Sequence, residues 1–305
     1  MAGSFLLKRI SAAGIGLLAA VLFLFYGPFE HFRLVWINTA MYSSRFKFLA
    51  EMLFSDTYIA SVLERNSTGP IGSTKENTLG IMGGEGIICA PIKGNYFKGF
   101  ILRVDNPKRI TFVAAETVQG ELLETIVRKH RAVGGINASG YRDESKRGLP
   151  WGYTVLDGIE VSKPAPKDRH TVGCFTGEGM LRVGSFSGPE LRELPCVWAF
   201  EFGPVYMVNG EKTAISEYAG GYAPRTAIGQ TADGAILLVV VDGRQASSIG
   251  ATFKDMQSIL FQNGALNAIG LDGGSSSTMV YDNRVLNHPV EGDDERKLPN
   301  AIVIK

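Results

Sequence analysis

The sequence predicts an α+β fold: a β-rich mixed-sheet domain with helices and a C-terminal β–α–β crossover, preceded by an N-terminal transmembrane helix. Three observations carry that prediction. From Gly86 onward, short β-rich runs alternate with strong turn signals. Near the C-terminal end, two apolar runs, 235–241 and 266–271, flank one helical pattern. At the other end, an uncharged and mostly apolar stretch, 10–26, follows Lys8 and Arg9.

The 305 residues, 45% hydrophobic with net charge +1, suit an ordered chain rather than a disordered one. The near-neutral balance gives no reason to expect nucleic acid as a partner. Residues 10–26 are close to the shortest stretch that spans a bilayer. Basic residues on their N-terminal side predict an orientation with 1–9 in the cytoplasm and the remainder outside. Leu24-Phe25-Tyr26-Gly27-Pro28 is too bulky for an A-x-A-like cleavage site, so the expectation is an uncleaved, single-pass signal anchor in the cell membrane.

Residues 27–75 read as an amphipathic helical juxtamembrane segment and a linker. Phe46, Leu49, Ala50, Leu53 and Phe54 recur at helical spacing among Arg45, Lys47 and Glu51, a stripe expected to pack on its own domain. Residues 66–73 are rich in turn formers, and Asn66-Ser67-Thr68 fits the N-glycosylation pattern.

Residues 76–305 then form one domain. Strands are expected at 86–93, 96–104 and 110–114, divided by Gly94-Asn95 and Asp105-Asn106-Pro107. A helix at 122–130 precedes a strand at 133–137 that ends on Asn137. Further strands are expected at 152–156, 171–175, 180–183 and 198–208, the last interrupted by Gly203-Pro204. Cys89, Cys174 and Cys196 allow at most one bridge, and their apolar settings suggest buried free thiols.

The run 235–241 is continuous and β-branched, as in a strand buried on both faces, and leads into Asp242-Gly243-Arg244. Thr252-Phe253-Lys254-Asp255 resembles a capping box opening a helix that ends near Gly264. The next strand, 266–271, leads into Asp272-Gly273-Gly274-Ser275-Ser276-Ser277-Thr278. As a β–α–β unit, its two strands should be parallel and deliver Asp242 and Asp272 to one edge, where ligands of such sheets bind. The glycines permit close backbone approach, and the serines offer N–H and hydroxyl donors. Taken alone, the second motif also fits a hairpin with Asp-Gly as its turn.

Other chemistries lack their residues. Gly184-Ser185-Phe186-Ser187-Gly188 puts Phe where a serine hydrolase needs its nucleophile. No P-loop occurs, and Gly83-Gly84-Glu85-Gly86 is followed by no helix pattern. His31, His130, His170 and His288 are far apart, without zinc spacing. Asp242 and Asp272 remain candidate oxygen ligands for a divalent cation; no cofactor is otherwise indicated.

Two more blocks complete the pattern: Ala223-Pro224-Arg225-Thr226-Ala227-Ile228-Gly229 and Gly134-Gly135-Ile136-Asn137-Ala138-Ser139-Gly140-Tyr141. In this combination and order the four blocks resemble the phosphodiester glycosidase family, over roughly residues 86–305. One departure stands in the first block, where the family usually has I-N-G-G-F or I-N-A-G-F; Ser139 and Tyr141 differ and bear on that wall of the pocket. The resemblance implies hydrolysis of a sugar-1-phosphodiester at the C1–O bond, in extracytoplasmic glycans or cell-envelope polymers such as an exopolysaccharide.

The residue types fit that chemistry. A phosphate leaving group is already anionic, so the site needs positive charge and N–H donors on the phosphate and a carboxylate facing the anomeric carbon. Asp272 is the first candidate for base or nucleophile and Asp242 the second. Arg225 and Arg244 are candidates for a phosphate clamp, or for salt bridges that hold one of the Asp residues. Gly273, Gly274, Ser275 and Ser276 would bind phosphate or sugar hydroxyls, and Asn137 would orient the sugar. Two rival readings use the same residues: a non-catalytic binder of envelope glycans, and a phosphodiesterase that attacks phosphorus and would normally want bound metals or a histidine-rich site.

Overall fold

The computed structural model describes residues 2–43, 46–66, 72, 85–141, 149–163, 168–289 and 296–305, with side chains from Gly14 onward. Most of the linker expected at 66–73, with Ser67 and Thr68 of the glycosylation pattern, lies outside the described residues.

Three antiparallel sheets form the body. The first runs β1 (Ile87–Lys93), β2 (Lys98–Val104), β13 (Ile236–Val241), β12 (Arg225–Thr231), β14 (Ala265–Leu271), β10 (Val205–Val208), β11 (Glu211–Lys212). The second runs β16 (Arg284–Val285), β15 (Met279–Tyr281), β4 (Gly134–Asn137), β17 (Asn300–Ile304), β3 (Ile110–Ala114). The third runs β6 (Ile159–Ser162), β5 (Thr154–Leu156), β9 (Cys196–Glu201), β7 (His170–Thr176), β8 (Leu181–Phe186).

All three sheets bury one face in a common core. Leu102, Ile228, Leu238, Val240 and Ile269 from the first sheet meet Phe112, Ile136 and Ile302 from the second and Phe175, Trp198 and Phe200 from the third. Phe175 stacks on Trp198 with ring centroids 4.5 Å apart. On the outer face of the first sheet, Leu237, Val239 and Val241 pack under α7 (Phe253–Gln262) through Met256, Ile259 and Leu260. This explains the unbroken apolar run of β13: alternate side chains serve two cores, so neither face tolerates polarity. The short helix α5 (Leu123–Lys129) covers the second sheet in the same way through Ile126 and Val127. Against the third sheet, α6 (Gly188–Glu193) lays Leu191.

The α+β class and most expected strands are present; the pairing of the two Asp-bearing strands is different. Every hydrogen-bonded pair among the described strands is antiparallel. β12 inserts between β13 and β14 and pairs antiparallel with each, Arg225 opposite Val241 and Thr226 opposite Leu271. The crossover strands therefore point the same way without being neighbours, and both still end at one rim. The helix between them starts as expected: Thr252 Oγ1 accepts from Asp255 N at 3.1 Å and the Asp255 carboxylate accepts from Thr252 N at 2.8 Å.

The N-terminal region differs more. After α1 (Ala2–Tyr26) the chain bends by 90° into α2 (Glu30–Met41), and α3 (Lys47–Leu53) and α4 (Asp56–Arg65) follow. Among the described residues no single helix is long and apolar enough to cross a membrane, although Gly14–Tyr26 and Glu30–Met41 together pass by length and composition. The expected amphipathic segment is three helices, α2 to α4, around a small core of Ile37, Ala40, Ala50, Ile59 and Val62.

The cysteine expectation is corrected. Cys174 on β7 and Cys196 on β9 form a disulfide between neighbouring strands, and Cys89, the free thiol, is exposed on the edge strand β1. Apolar neighbours hid the pairing, because adjacency of two strands is not visible in either run.

Candidate active site

The rim where β13 and β14 end and β12 begins collects most of the expected site residues. Asp242 directly follows β13, Asp272 directly follows β14, and Arg225 opens β12 between them. The end of β4 reaches the same place. Asp272 N donates to Ala138 O at 2.9 Å, and Asn137 Nδ2 donates to Asp272 O at 2.6 Å.

Asn137 is fully engaged here. Its Oδ1 accepts from Thr226 Oγ1 at 2.8 Å and from Thr278 N at 3.1 Å, and the residue is 1% exposed. Three segments of the site are thereby tied by one amide. Expected to orient a sugar, Asn137 is placed to orient Asp272, since both ends of the amide bond protein. Ser139 likewise turns inward: its N–H donates to Asn300 Oδ1 at 2.9 Å, and its Oγ accepts from Asn300 Nδ2 at 2.6 Å.

Asp272 has the perturbed carboxyl. The residue as a whole is half-buried, while protein atoms crowd its carboxyl group. Burial raises its pKa from the ordinary value of 3.8 to about 6, against opposing contacts from the Ser276 side chain and the Gly273 backbone. The Ser276 hydroxyl stands close enough to act on the carboxylate but completes no well-formed hydrogen bond, and the Ser277 hydroxyl, also buried, has no hydrogen-bond partner among the described residues. Two buried hydroxyls without partners in the loop that follows Asp272 suit a site that a polar ligand or water completes. Gly140 and Phe202 flank Asp272: a Cβ at Gly140 would lie 4.0 Å from Asp272 Cγ and 3.5 Å from Phe202 Cε2.

The two arginines separate. Arg225 is 8% exposed, donates through Nε to Ala251 O at 3.1 Å and through Nη2 to Gly221 O at 3.0 Å and to Gly220 O, and lies 4.3 Å from the Phe253 ring centroid. These bonds commit Nε and Nη2 to carbonyl oxygens and favour the bracing role for Arg225 over the phosphate clamp expected for it. Burial also lowers its pKa, to about 10, which leaves it charged at neutral pH. Arg244 differs. Among the described residues its guanidinium has neither a hydrogen bond nor an ion pair, and it lies against the glycine turn: a Cβ at Gly274 would be 3.4 Å from Nη1 and 3.5 Å from Nη2. Neither arginine bridges to Asp242 or Asp272 among the described residues.

The turn itself is held from behind. Gly274 N donates to Pro224 O at 2.9 Å, and at Gly273 a Cβ would come within 2.9 Å of the same oxygen, so any side chain there would push the turn away. Gly274 has φ +63°, the left-handed region that favours glycine. Ser275 continues the turn into a short 3-10 segment, Gly274–Ser276.

Asp242 is 4% exposed and faces the fold. Its Oδ1 accepts from Asn287 Nδ2 at 3.0 Å and from His288 N at 2.8 Å. Burial raises its pKa and these two donors oppose the rise. Asn287 also donates to Ser277 O at 2.9 Å and accepts from Met279 N at 2.7 Å. Asp242 thus braces the serine loop through Asn287, a residue that sequence reasoning missed because its partner is 45 positions away.

Arg296 was also missed; its Nη2 donates to the Tyr141 hydroxyl and its guanidinium lies 4.8 Å from the Tyr141 ring centroid, next to Gly140. Among the described residues no group of three or more His, Cys, Asp and Glu stands together as a metal site.

The chain has recognisable relatives among known proteins. The family model for phosphodiester glycosidases matches residues 130–305. An uncharacterized SPbeta prophage-derived protein, YomE, of Bacillus subtilis is 29% identical over 203 residues, 62% of this chain and 30% of that protein. Human N-acetylglucosamine-1-phosphodiester alpha-N-acetylglucosaminidase is 29% identical over 102 residues, 30% of this chain and 20% of that protein. The match thus spans less than a third of the length of either relative. The zebrafish form of that enzyme, its catalytic domain auto-inhibited by a pro-peptide, superposes with a TM-score of 0.58 at 20% identity, covering 78% of this chain and 88% of that one; at that identity the likeness is one of fold.

Proposed function

Since the chain belongs to the phosphodiester glycosidase family, a family of hydrolases, we propose that it hydrolyses a sugar-1-phosphodiester by breaking the C1–O bond. The observation that carries the reading is the pairing of Asp272, a rim carboxylate with a raised pKa, with Arg244 on the adjoining glycine turn.

In this mechanism the sugar lies over Asp272, against Gly140 and Phe202. The leaving phosphate lies on the Gly273-Gly274-Ser275-Ser276 turn beneath Arg244, within reach of the buried Ser276 and Ser277 hydroxyls. As the C1–O bond lengthens, its electron pair moves onto the phosphate oxygen and positive charge grows at C1. Arg244 and the turn stabilise the first charge and the Asp272 carboxylate the second. A phosphate monoester leaves as an anion, so no strong general acid is required. Two routes complete the reaction. Asp272 takes a proton from the water that attacks C1, or it attacks C1 itself and water later releases the sugar. Asn137 and Asp242 position these groups and do not touch the reacting atoms.

The name of the human relative makes N-acetylglucosamine-1-phosphodiesters the first substrates to test. The wider expectation is an envelope glycan or exopolysaccharide met outside the cytoplasm. Two features support that location. The Cys174–Cys196 bridge suits an oxidising compartment. Ile15, Leu17, Leu18 and Phe23 on α1 present 59–69% of their surface to the outside, as a helix in lipid would. Turnover of an aryl N-acetylglucosamine-1-phosphodiester tests the activity, with release of free sugar and aryl phosphate expected. No turnover across a panel of sugar-1-phosphodiesters would favour the glycan-binding reading.

A further inference from the structure

The helices α2 to α4 precede the family-matched residues 130–305, yet they touch the loop behind the site. Tyr222 N donates to Thr39 Oγ1 at 3.1 Å, Ser216 Oγ to Arg65 O at 3.1 Å, and the Tyr218 hydroxyl bonds His31 Nδ1 at 2.9 Å. At Gly221, with φ +56°, a Cβ would come within 2.4 Å of Thr39 Cα, so the loop backbone is pressed directly on α2. Farther along, Tyr42 meets Phe253, the ring under Arg225, at 5.6 Å between centroids.

That loop holds the site. The carbonyls of Gly220 and Gly221 fix Arg225, and two residues beyond Tyr222 the Pro224 carbonyl receives Gly274 N–H. Pro224 also fills the space beside Gly243, where a Cβ would lie 2.4 Å from Pro224 N, next to Arg244. One continuous set of contacts therefore runs from Thr39 through Gly221, Tyr222 and Pro224 to both halves of the phosphate subsite, the Gly273-Gly274 turn and Arg244.

We propose that the N-terminal helical unit is a positioning element of the active site, with Thr39 on α2 setting the place of the phosphate-binding turn through the 216–224 loop. This rests on the assignment of that turn and Arg244 to phosphate. The helices supply no group to the reaction. They set where the leaving group rests relative to Asp272, and displacements near 1 Å at that distance cost as much as ~100-fold in rate. A chain that lost the helical unit would keep its catalytic residues and lose their register.

Thr39→Val keeps the shape of the side chain and removes the acceptor for Tyr222 N–H. In the full chain, turnover of the aryl sugar-1-phosphodiester should fall roughly 10-fold, with the thermal midpoint near that of the parent and with Thr39→Ser restoring the rate. On a neutral aryl glycoside, which lacks the phosphate, the loss should be much smaller, a difference that general destabilisation would not produce. Tyr218→Phe, at an exposed contact where folding is not in question, should lower phosphodiester turnover to a lesser degree. If the parent enzyme turns over the phosphodiester and both variants match it, the proposal is wrong while the function stands. Equal losses on both substrates would also overturn it. A parent without turnover, or an Arg244→Ala variant with unchanged turnover, would instead remove the phosphate assignment on which the proposal rests.

Discussion

Replacing Asp272 with Asn should make the protein more stable while nearly abolishing its activity. The raised pKa means that folding penalises the charged carboxylate. The shift from 3.8 to about 6 is about 2 units, and at about 1.4 kcal/mol per unit the cost at neutral pH is at most about 3 kcal/mol. Asp272 is only half-buried, so screening by solvent reduces this to ~1–2 kcal/mol. The sign follows from proton uptake. Between the two pKa values the folded state holds a proton that the unfolded state has released, so this contribution to stability falls as pH rises from about 4 to about 6 and is constant above. Asp272→Asn removes that penalty. Urea unfolding near pH ~7.5 should show a gain of ~1–2 kcal/mol for the variant, shrinking to roughly a third near pH ~4.5. Turnover should drop on the order of 100-fold to 10,000-fold, and in the parent it should rise with pH through about 6 as Asp272 ionises. A variant destabilised by more than ~1 kcal/mol near neutral pH, or a gain that does not depend on pH, would refute the reasoning. So would near-normal turnover.

The two arginines should part in opposite directions. Arg244→Ala should leave stability within ~0.5 kcal/mol and lose activity on the phosphodiester far more than on a neutral aryl glycoside. Arg225→Met strands the carbonyls of Gly220, Gly221 and Ala251, so denaturation should show a loss of at least ~2 kcal/mol; unchanged stability would return Arg225 to the list of phosphate ligands. Cys174→Ser should cost ~2–4 kcal/mol under non-reducing conditions by freeing the unfolded chain, and a reductant should bring the parent close to the variant.

Local chemistry was legible in the sequence, and long-range pairing was not. The run 236–241 announced a strand buried on both faces, and Thr252 with Asp255 announced the start of α7. The delivery of Asp242 and Asp272 to one rim followed from two strands pointing the same way. What separates them, β12, could not be read, because its pairings Arg225–Val241 and Thr226–Leu271 join segments with no local signal of each other. The intervening strand also widens the spacing between the two strand ends.

Arg225 illustrates a second limit. Its acceptors are backbone carbonyls, which leave no trace in residue identity, so a buried brace and a phosphate clamp look alike in a sequence. Asn137 illustrates a third: its place at a strand end was legible, but the two donors and one acceptor it joins come from 89 to 141 positions away. The disulfide was hidden for the same reason, since Cys174 and Cys196 meet only after β7 and β9 pair.

The central claim is that the bond broken lies between sugar C1 and oxygen. Hydrolysis of an aryl sugar-1-phosphodiester in oxygen-18 water, with the products resolved by mass spectrometry, tests it directly. The carboxylate at the rim and the arginine on the glycine turn predict the label on C1 of the released sugar and none in the aryl phosphate. Label in the phosphate would mean attack at phosphorus and would contradict the account.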